Sequence, residues 1–242
     1  MPFHIIENDK PKLPKIKMNC DNPIDQKLEQ IPAIKQCFSK SNVTLINAGM
    51  GSGKTTLVLQ LLKGVFKGCF EDIFLLMPEN SFESLNERDK IFLRKNLTDE
   101  RIYHEFNEDV LTEIYEKLEE NSSEKNNSLI ILDDYGADLK KKANEIILNR
   151  ICLKNRHLRT SILMLTQNYF MLGKKIREVV NNVIMFNCGK SQTKKLFDEQ
   201  FDLTENQFKE LMTLIPTRHD WLLLNLNYKK IYHNWNEIVF DD

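Results

Sequence analysis

Continuous apolar runs alternate along this chain with longer stretches whose apolar positions recur every three or four residues. The runs are Val43-Thr44-Leu45-Ile46, Ile73-Phe74-Leu75-Leu76-Met77, Leu129-Ile130-Ile131-Leu132, Ile162-Leu163-Met164-Leu165 and Val183-Ile184-Met185-Phe186. A strand that is apolar on both faces must be covered on both faces, and parallel sheets flanked by helices provide that cover. The pattern predicts strands over 43–48, 72–77, 129–132, 162–165 and 183–186, with a short one within 101–106. Helical spacing predicts helices over 54–66, 83–95, 108–120, 139–154 and 174–181. The third of these carries Val110, Leu111, Ile114, Tyr115 and Leu118 on one face. Two polar helices follow, near 190–200 and 204–213, and residues 221–226 and 230–235 predict a β-hairpin turning across Asn227-Tyr228. The class is therefore α/β, a mostly parallel central sheet flanked by helices, with a C-terminal β-hairpin. No internal repeat is evident.

Residues 1–20 break this pattern. They are polar, with Pro2, Pro11, Pro14 and interspersed lysines. An extended arm fits, either as a disordered tail or packed on a neighbouring subunit. Residues 1–42 thus divide off as an arm and lead-in, and 43–242 as one domain.

Composition narrows the partners. The net charge is −1, so there is no global basic field to hold nucleic acid. Any DNA contact must come from local patches or from a ring of subunits. The five cysteines, Cys20, Cys37, Cys69, Cys152 and Cys188, include no Cys-x-x-Cys pair and read as buried thiols in a reducing compartment. The N-terminal residues lack the apolar core of a secretory signal, and no apolar run approaches the ~20 residues needed to span a bilayer. A soluble, intracellular protein with no membrane partner is expected.

The chemistry concentrates at Ala48-Gly49-Met50-Gly51-Ser52-Gly53-Lys54-Thr55, with Thr56 following. Strand, glycine-rich turn and helix is the context of a phosphate-binding P-loop, the Walker A element. Unpaired N–H groups at a helix start, with the positive end of its dipole, attract phosphate. Gly51 and Gly53 let the backbone curl around the phosphates without a Cβ clash. Lys54 is suited to reach the β- and γ-phosphates of ATP, and the Thr55 hydroxyl to ligate Mg²⁺. Ala48 stands where glycine is usual, which a negative φ permits.

The run Leu129 to Leu132 ends in Asp133-Asp134 and fits a Walker B element. Asp133 is placed to hold Mg²⁺ directly or through water, and Asp134 to orient or deprotonate the attacking water. The next strand ends at Thr166-Gln167. If it lies between the P-loop strand and the Asp133 strand, Gln167 faces the γ-phosphate, where an amide both donates and accepts.

The stretch Arg156-His157-Leu158-Arg159-Thr160-Ser161 leading into Ile162–Gln167 resembles the arginine-containing entry to the sensor strand of FtsK–HerA ATPases. Gln167-Asn168-Tyr169-Phe170-Met171-Leu172-Gly173-Lys174-Lys175-Ile176-Arg177, with a later strand ending in Phe186, is similar to the viral branch of that superfamily. That branch comprises the genome-packaging ATPases of poxviruses, other large DNA viruses and virophages. Gly173 departs from the usual proline, and Asp134 from the Glu of cellular members. The resemblance, over roughly residues 43–190, implies a RecA-like P-loop (ASCE) fold. It further implies a homo-oligomeric ring, hexamer or pentamer, translocating double-stranded DNA without reading its sequence. Viral capsid vertex proteins are then partners, and the host cytoplasm or virus factory the location, with transient presence at or inside the virion. ATP would sit between subunits, and a neighbour would supply an arginine finger. Arg156 matches that arginine by its spacing to Gln167, with Arg177 second and Arg159 third.

Lys140-Lys141-Lys142 and the group Lys190, Lys194, Lys195 are either solvated helix faces or pore contacts to DNA phosphates. A nucleoside or small-molecule kinase shares the P-loop, but no arginine-rich lid is visible. A GTPase needs an Asn-Lys-x-Asp type motif, which is missing. A non-hydrolysing nucleotide-dependent scaffold has no need of Lys54, Thr55, Asp133, Asp134 and Gln167 together.

Overall fold

The computed structural model describes residues 3–6, 31–38, 41–136 and 138–240, and of the expected arm over residues 1–20 only 3–6 are among them. The strands are β1 (Phe3–Ile6), β2 (Val43–Asn47), β3 (Asp72–Leu76), β4 (Ile102–Tyr103), β5 (Ser128–Asp133), β6 (Thr160–Thr166), β7 (Asn182–Phe186), β8 (Trp221–Asn225), β9 (Lys230–His233) and β10 (Asn236–Phe240). The helices are α1 (Pro32–Cys37), α2 (Lys54–Lys63), α3 (Glu79–Glu83), α4 (Glu87–Asn96), α5 (Glu108–Ser123), α6 (Lys142–Lys154), α7 (Lys174–Val179), α8 (Lys190–Gln200) and α9 (Glu205–Thr213).

All strands join one sheet in the order β1-β10-β9-β8-β7-β2-β6-β5-β3-β4. From β7 to β4 every pairing is parallel; from β7 outward to β1 every pairing is antiparallel. Side chains alternate between two buried layers, as the period of two along a strand requires. Leu45, Phe74, Ile130, Met164 and Val183 point to one layer, where α5, α6, α8 and α9 contribute Ile114, Ile151, Phe197 and Leu211. Ile46, Leu75, Ile131, Leu165 and Ile184 point to the other, under Ile34, Val58, Leu61, Phe82 and Leu93 of α1 to α4. The continuous apolar runs are therefore strands buried on both faces.

Several boundaries move for local reasons. The helix expected over 83–95 starts later, at Glu87, because Asn86 accepts the Asp89 N–H (3.0 Å) and caps α4, and the separate short α3 ends at Glu83 before it. The P-loop helix stops at Lys63, before Gly64. Helix α6 starts at Lys142 after a 3₁₀ turn over Asp138–Lys140. The strand within 101–106 shrinks to Ile102–Tyr103. The C-terminal hairpin is part of a larger antiparallel extension. Its turn is closed by Asn225, whose Oδ1 accepts from the Asn227 and Tyr228 N–H groups (3.1 and 3.0 Å). A second turn at Asn234-Trp235, with φ of 50° and 68°, leads into β10, which pairs with β1. Two left-handed residues make the tight turn whose twist suits a hairpin, and Trp is not the glycine that usually signals it.

Candidate active site

Strands β2, β6 and β5 are neighbours and parallel, so their C-terminal ends share one edge of the sheet. Strand β6 lies between the other two, as the order of motifs required, with Asn47 opposite Thr166 and Asp133 opposite Leu165. This edge is where parallel α/β sheets bind ligands.

The loop 48–53 leaves β2 with Ala48 fully buried, its N–H bonded to the Thr166 carbonyl (3.0 Å). Ala48 is not among the residues with positive φ, so its methyl group is tolerated. Gly51 and Gly53 have φ of 68° and 98°, in the left-handed region where a side chain is strained. The Ser52 hydroxyl donates to the Gly49 carbonyl (2.7 Å) and closes the curl. Met50 is 82% exposed at the tip, and Thr56 is exposed in the first turn of α2.

Lys54 opens α2 and folds back, its Nζ donating to the carbonyls of Ala48 (2.9 Å) and Gly49 (3.2 Å). Burial lowers its pKa, opposed by the charges of Asp133 and Asp134. The Thr55 hydroxyl donates to Asp133 Oδ2 (2.8 Å). Asp133 is only 4% exposed. Burial pushes its carboxyl above the ordinary range, while the Thr55 hydrogen bond and Lys54 pull it down. Asp134 differs in every respect. It is exposed, sits at φ 65°, and accepts from Gln167 Nε2 (3.2 Å). The sequence placed Gln167 toward phosphate; the fold sets it against the second carboxylate. One buried and one exposed carboxylate, adjacent in sequence, thus sit in different environments.

The three candidate arginines are not brought to this edge as a group. Arg156 is exposed, between the end of α6 and the start of β6, on the opposite edge. It lines a polar cleft with Gln36, Asn42, Asn181, Asn182 and Asn225. Arg159 adopts φ 50° and donates to Asn127 Oδ1 (3.1 Å). Arg177 is satisfied inside the chain: it donates to the Leu172 carbonyl (2.8 Å), pairs with Glu199 (3.4 Å) and lies over the rings of Tyr169 and Phe170. Among the basic clusters, Lys141 pairs with Asp138 (2.7 Å) and Lys194 with Glu205, whereas Lys142 and Lys195 are exposed. The side chains of Lys140 and Lys190 lie outside the described residues.

Sequence reasoning missed one contributor. The loop 216–220 between α9 and β8 leans on the P-loop, with His219 Nδ1 3.1 Å from the Ser52 carbonyl. Arg218 Nη1 stands 3.6 Å from where a Cβ on Gly51 would lie. No local motif marks this loop, because pairing of β8 with β7 brings it there.

Comparison with known proteins agrees with this geometry. The family model described as poxvirus A32 protein matches residues 35–220. No curated protein matches. Among solved structures, B204, the DNA-packaging ATPase of Sulfolobus turreted icosahedral virus, has 18% identity and a TM-score of 0.58, covering 80% of this chain and 97% of its own. B204 of Sulfolobus turreted icosahedral virus 2, a genome-packaging NTPase in complex with ATP-gammaS, has 15% identity and a TM-score of 0.56, covering 81% of this chain and 97% of its own. The same protein in complex with AMPPCP gives 15% identity, a TM-score of 0.54, and coverage of 81% and 98%. These likenesses establish the RecA-like P-loop fold, and the family match agrees with the viral branch that the motifs resemble. With its model matched over residues 35–220, the chain belongs to the poxvirus A32 protein family.

Proposed function

We propose that this chain is a Mg²⁺-dependent ATPase whose homo-oligomeric ring, a hexamer or pentamer, moves double-stranded viral DNA into a capsid. The observation that carries the reading is the convergence of three strand ends. They place the P-loop, the Thr55–Asp133 hydrogen bond and the Gln167–Asp134 pair on one edge. Membership of the poxvirus A32 family and the fold shared with B204 support it.

The residues fit a magnesium ion. Asp133 and Thr55 offer two hard oxygens 2.8 Å apart. A single carboxylate and a hydroxyl, with water and phosphate completing the shell, suit Mg²⁺ better than an all-protein cage. Bound there, the ion would neutralise charge on the phosphates.

The protein's own groups do the rest. The N–H groups of the loop 49–55 and the start of α2 bind the phosphates. Lys54 exchanges its carbonyl partners for phosphate oxygens. Asp134, exposed, orients the attacking water, and Gln167 fixes that carboxylate through its amide. Arg156 lies on the edge opposite its own P-loop, so its finger role requires a neighbour's site. A guanidinium supplied in trans is worth roughly 10³–10⁵ in rate. Sequence-independent DNA contact falls to exposed lysines such as Lys142 and Lys195. Capsid vertex proteins are the proposed docking partners. Work in the host cytoplasm or virus factory, and transiently at the virion, follows from that role. No helix among the described residues is long and apolar enough to cross a membrane.

The test is ATP hydrolysis with and without double-stranded DNA, for wild type, Lys54→Ala and Arg156→Ala. DNA-stimulated turnover in wild type, silence in each variant, and partial recovery on mixing the two establish a ring with a trans arginine. Turnover indifferent to DNA, with Arg156→Ala unimpaired, overturns the motor.

A further inference from the structure

The 216–220 loop is built with more order than a connector needs. Asp220 Oδ2 accepts from both the backbone N–H and the hydroxyl of Thr217 (2.8 Å each). Those bonds hold the Asp220 carboxyl below the usual range. Both ends of the loop are tied to the end of β7, since Asn187 donates its side-chain amide to the Ile215 carbonyl (2.8 Å) and its N–H to the Asp220 carbonyl (3.3 Å). The nearest acidic group in sequence is thus engaged with Thr217 and not with Arg218.

The hydrogen bonds of His219 fix its tautomer. The Ser52 carbonyl only accepts, so Nδ1 carries the proton that faces it (3.1 Å). Arg218 Nε only donates, so Nε2 presents its lone pair (3.3 Å). Through these two contacts the imidazole links the P-loop backbone to a guanidinium. Arg218 itself is exposed, with Nη1 beside Gly51. Among the described residues no carboxylate forms an ion pair with Arg218. A planar fork of N–H donors suits the paired oxygens of a phosphate.

We propose that Arg218, positioned by His219, contacts the β- and γ-phosphates of the nucleotide on the P-loop of its own chain. This rests on the ATPase reading and adds a cis arginine to it, distinct from Arg156, whose place on the far edge serves only a neighbour. A cis contact acts in the lone chain; a trans contact does not.

The experiment is titration of the full chain with fluorescent ATP and, separately, fluorescent AMP, at protein concentrations where sedimentation shows monomer. Arg218→Ala should weaken ATP binding about tenfold or more, the usual scale for a charged hydrogen bond, with AMP within about twofold of wild type. Arg218→Gln should behave alike, Arg218→Lys should recover part of the loss, and His219→Ala should show a smaller loss with the same selectivity. Equal weakening of ATP and AMP overturns the proposal, because it makes Arg218 a prop for the loop. ATP affinity within about twofold of wild type overturns it too. If the wild-type chain binds AMP and ATP equally weakly, the ATPase reading itself falls and takes this contact with it.

Discussion

The two edges of the parallel sheet are made from the same strands and behave as opposites. At the C-terminal edge Lys54, Asp133, Asp134 and Gln167 meet, and two of these groups are buried enough to shift their pKa. At the N-terminal edge, around β2 and β7, several amides and hydroxyls bond to each other. The Asn181 side chain accepts from the Val43 N–H (2.8 Å), Asn182 donates to the Cys37 carbonyl and Thr44, and the Thr44 hydroxyl donates to Asn42 Oδ1 (2.8 Å). One edge gathers charged groups, and the other bonds amides and hydroxyls to each other. Arg156 stands there as an exposed cation.

Substitutions should separate the edges. The largest effect is expected from Lys54→Ala: ATP turnover falls by about 10²–10³ or more, the scale of a lost charge-stabilising donor, while thermal unfolding hardly moves. Steady-state hydrolysis and a melting curve on the same sample check both halves. Asp134→Asn comes next, expected to lower turnover about 10²-fold, with nucleotide affinity retained, since a water-orienting group acts in the transition state. A weakened nucleotide Kd with unchanged kcat goes against that assignment.

The far edge should answer in the other currency. Asn182→Ala strips donors from Cys37 and Thr44 at a buried site, which costs about 1–3 kcal/mol. The melting temperature should drop, while turnover per folded molecule stays unchanged.

The smallest effect is also the most diagnostic. The Asp133 pKa is raised on folding, so its carboxyl contributes stability when protonated and loses that contribution as pH rises through the folded-state value. Asp133→Asn keeps an acceptor for Thr55 without a charge. In the absence of nucleotide it should melt like wild type at strongly acidic pH and higher than wild type near neutrality. A lower melting temperature at neutral pH would show that the Thr55 and Lys54 interactions outweigh burial.

Much of the phosphate edge was legible in the sequence, since its determinants are local. A strand, glycines at two left-handed positions and Lys-Thr at a helix start lie within a dozen residues. Asp133 and Gln167 were legible one step removed, as residues at the ends of apolar runs. The Gln167–Asp134 pairing was not, because side chains on adjacent strands choose partners only once both strands are placed. Strand β10 hid behind Trp235, a residue that does not advertise a left-handed turn. Helix α1 hid because six residues form a helix only when packing supports them, here Ala33, Ile34 and Cys37 against the α2 layer.

By itself the sequence determined the class, the buried strands, the phosphate loop and the acidic pair, because each depends on spacing within a few residues. The tertiary structure alone decided which arginines are spent and which are available. Arg177 is consumed by Glu199 and two rings, Arg156 is turned to the far edge, and Arg218 is carried to Gly51 by a strand pairing more than thirty residues after β7 begins. A guanidinium's role depends on what lies within a few ångströms, and that is set by contacts between segments distant in sequence.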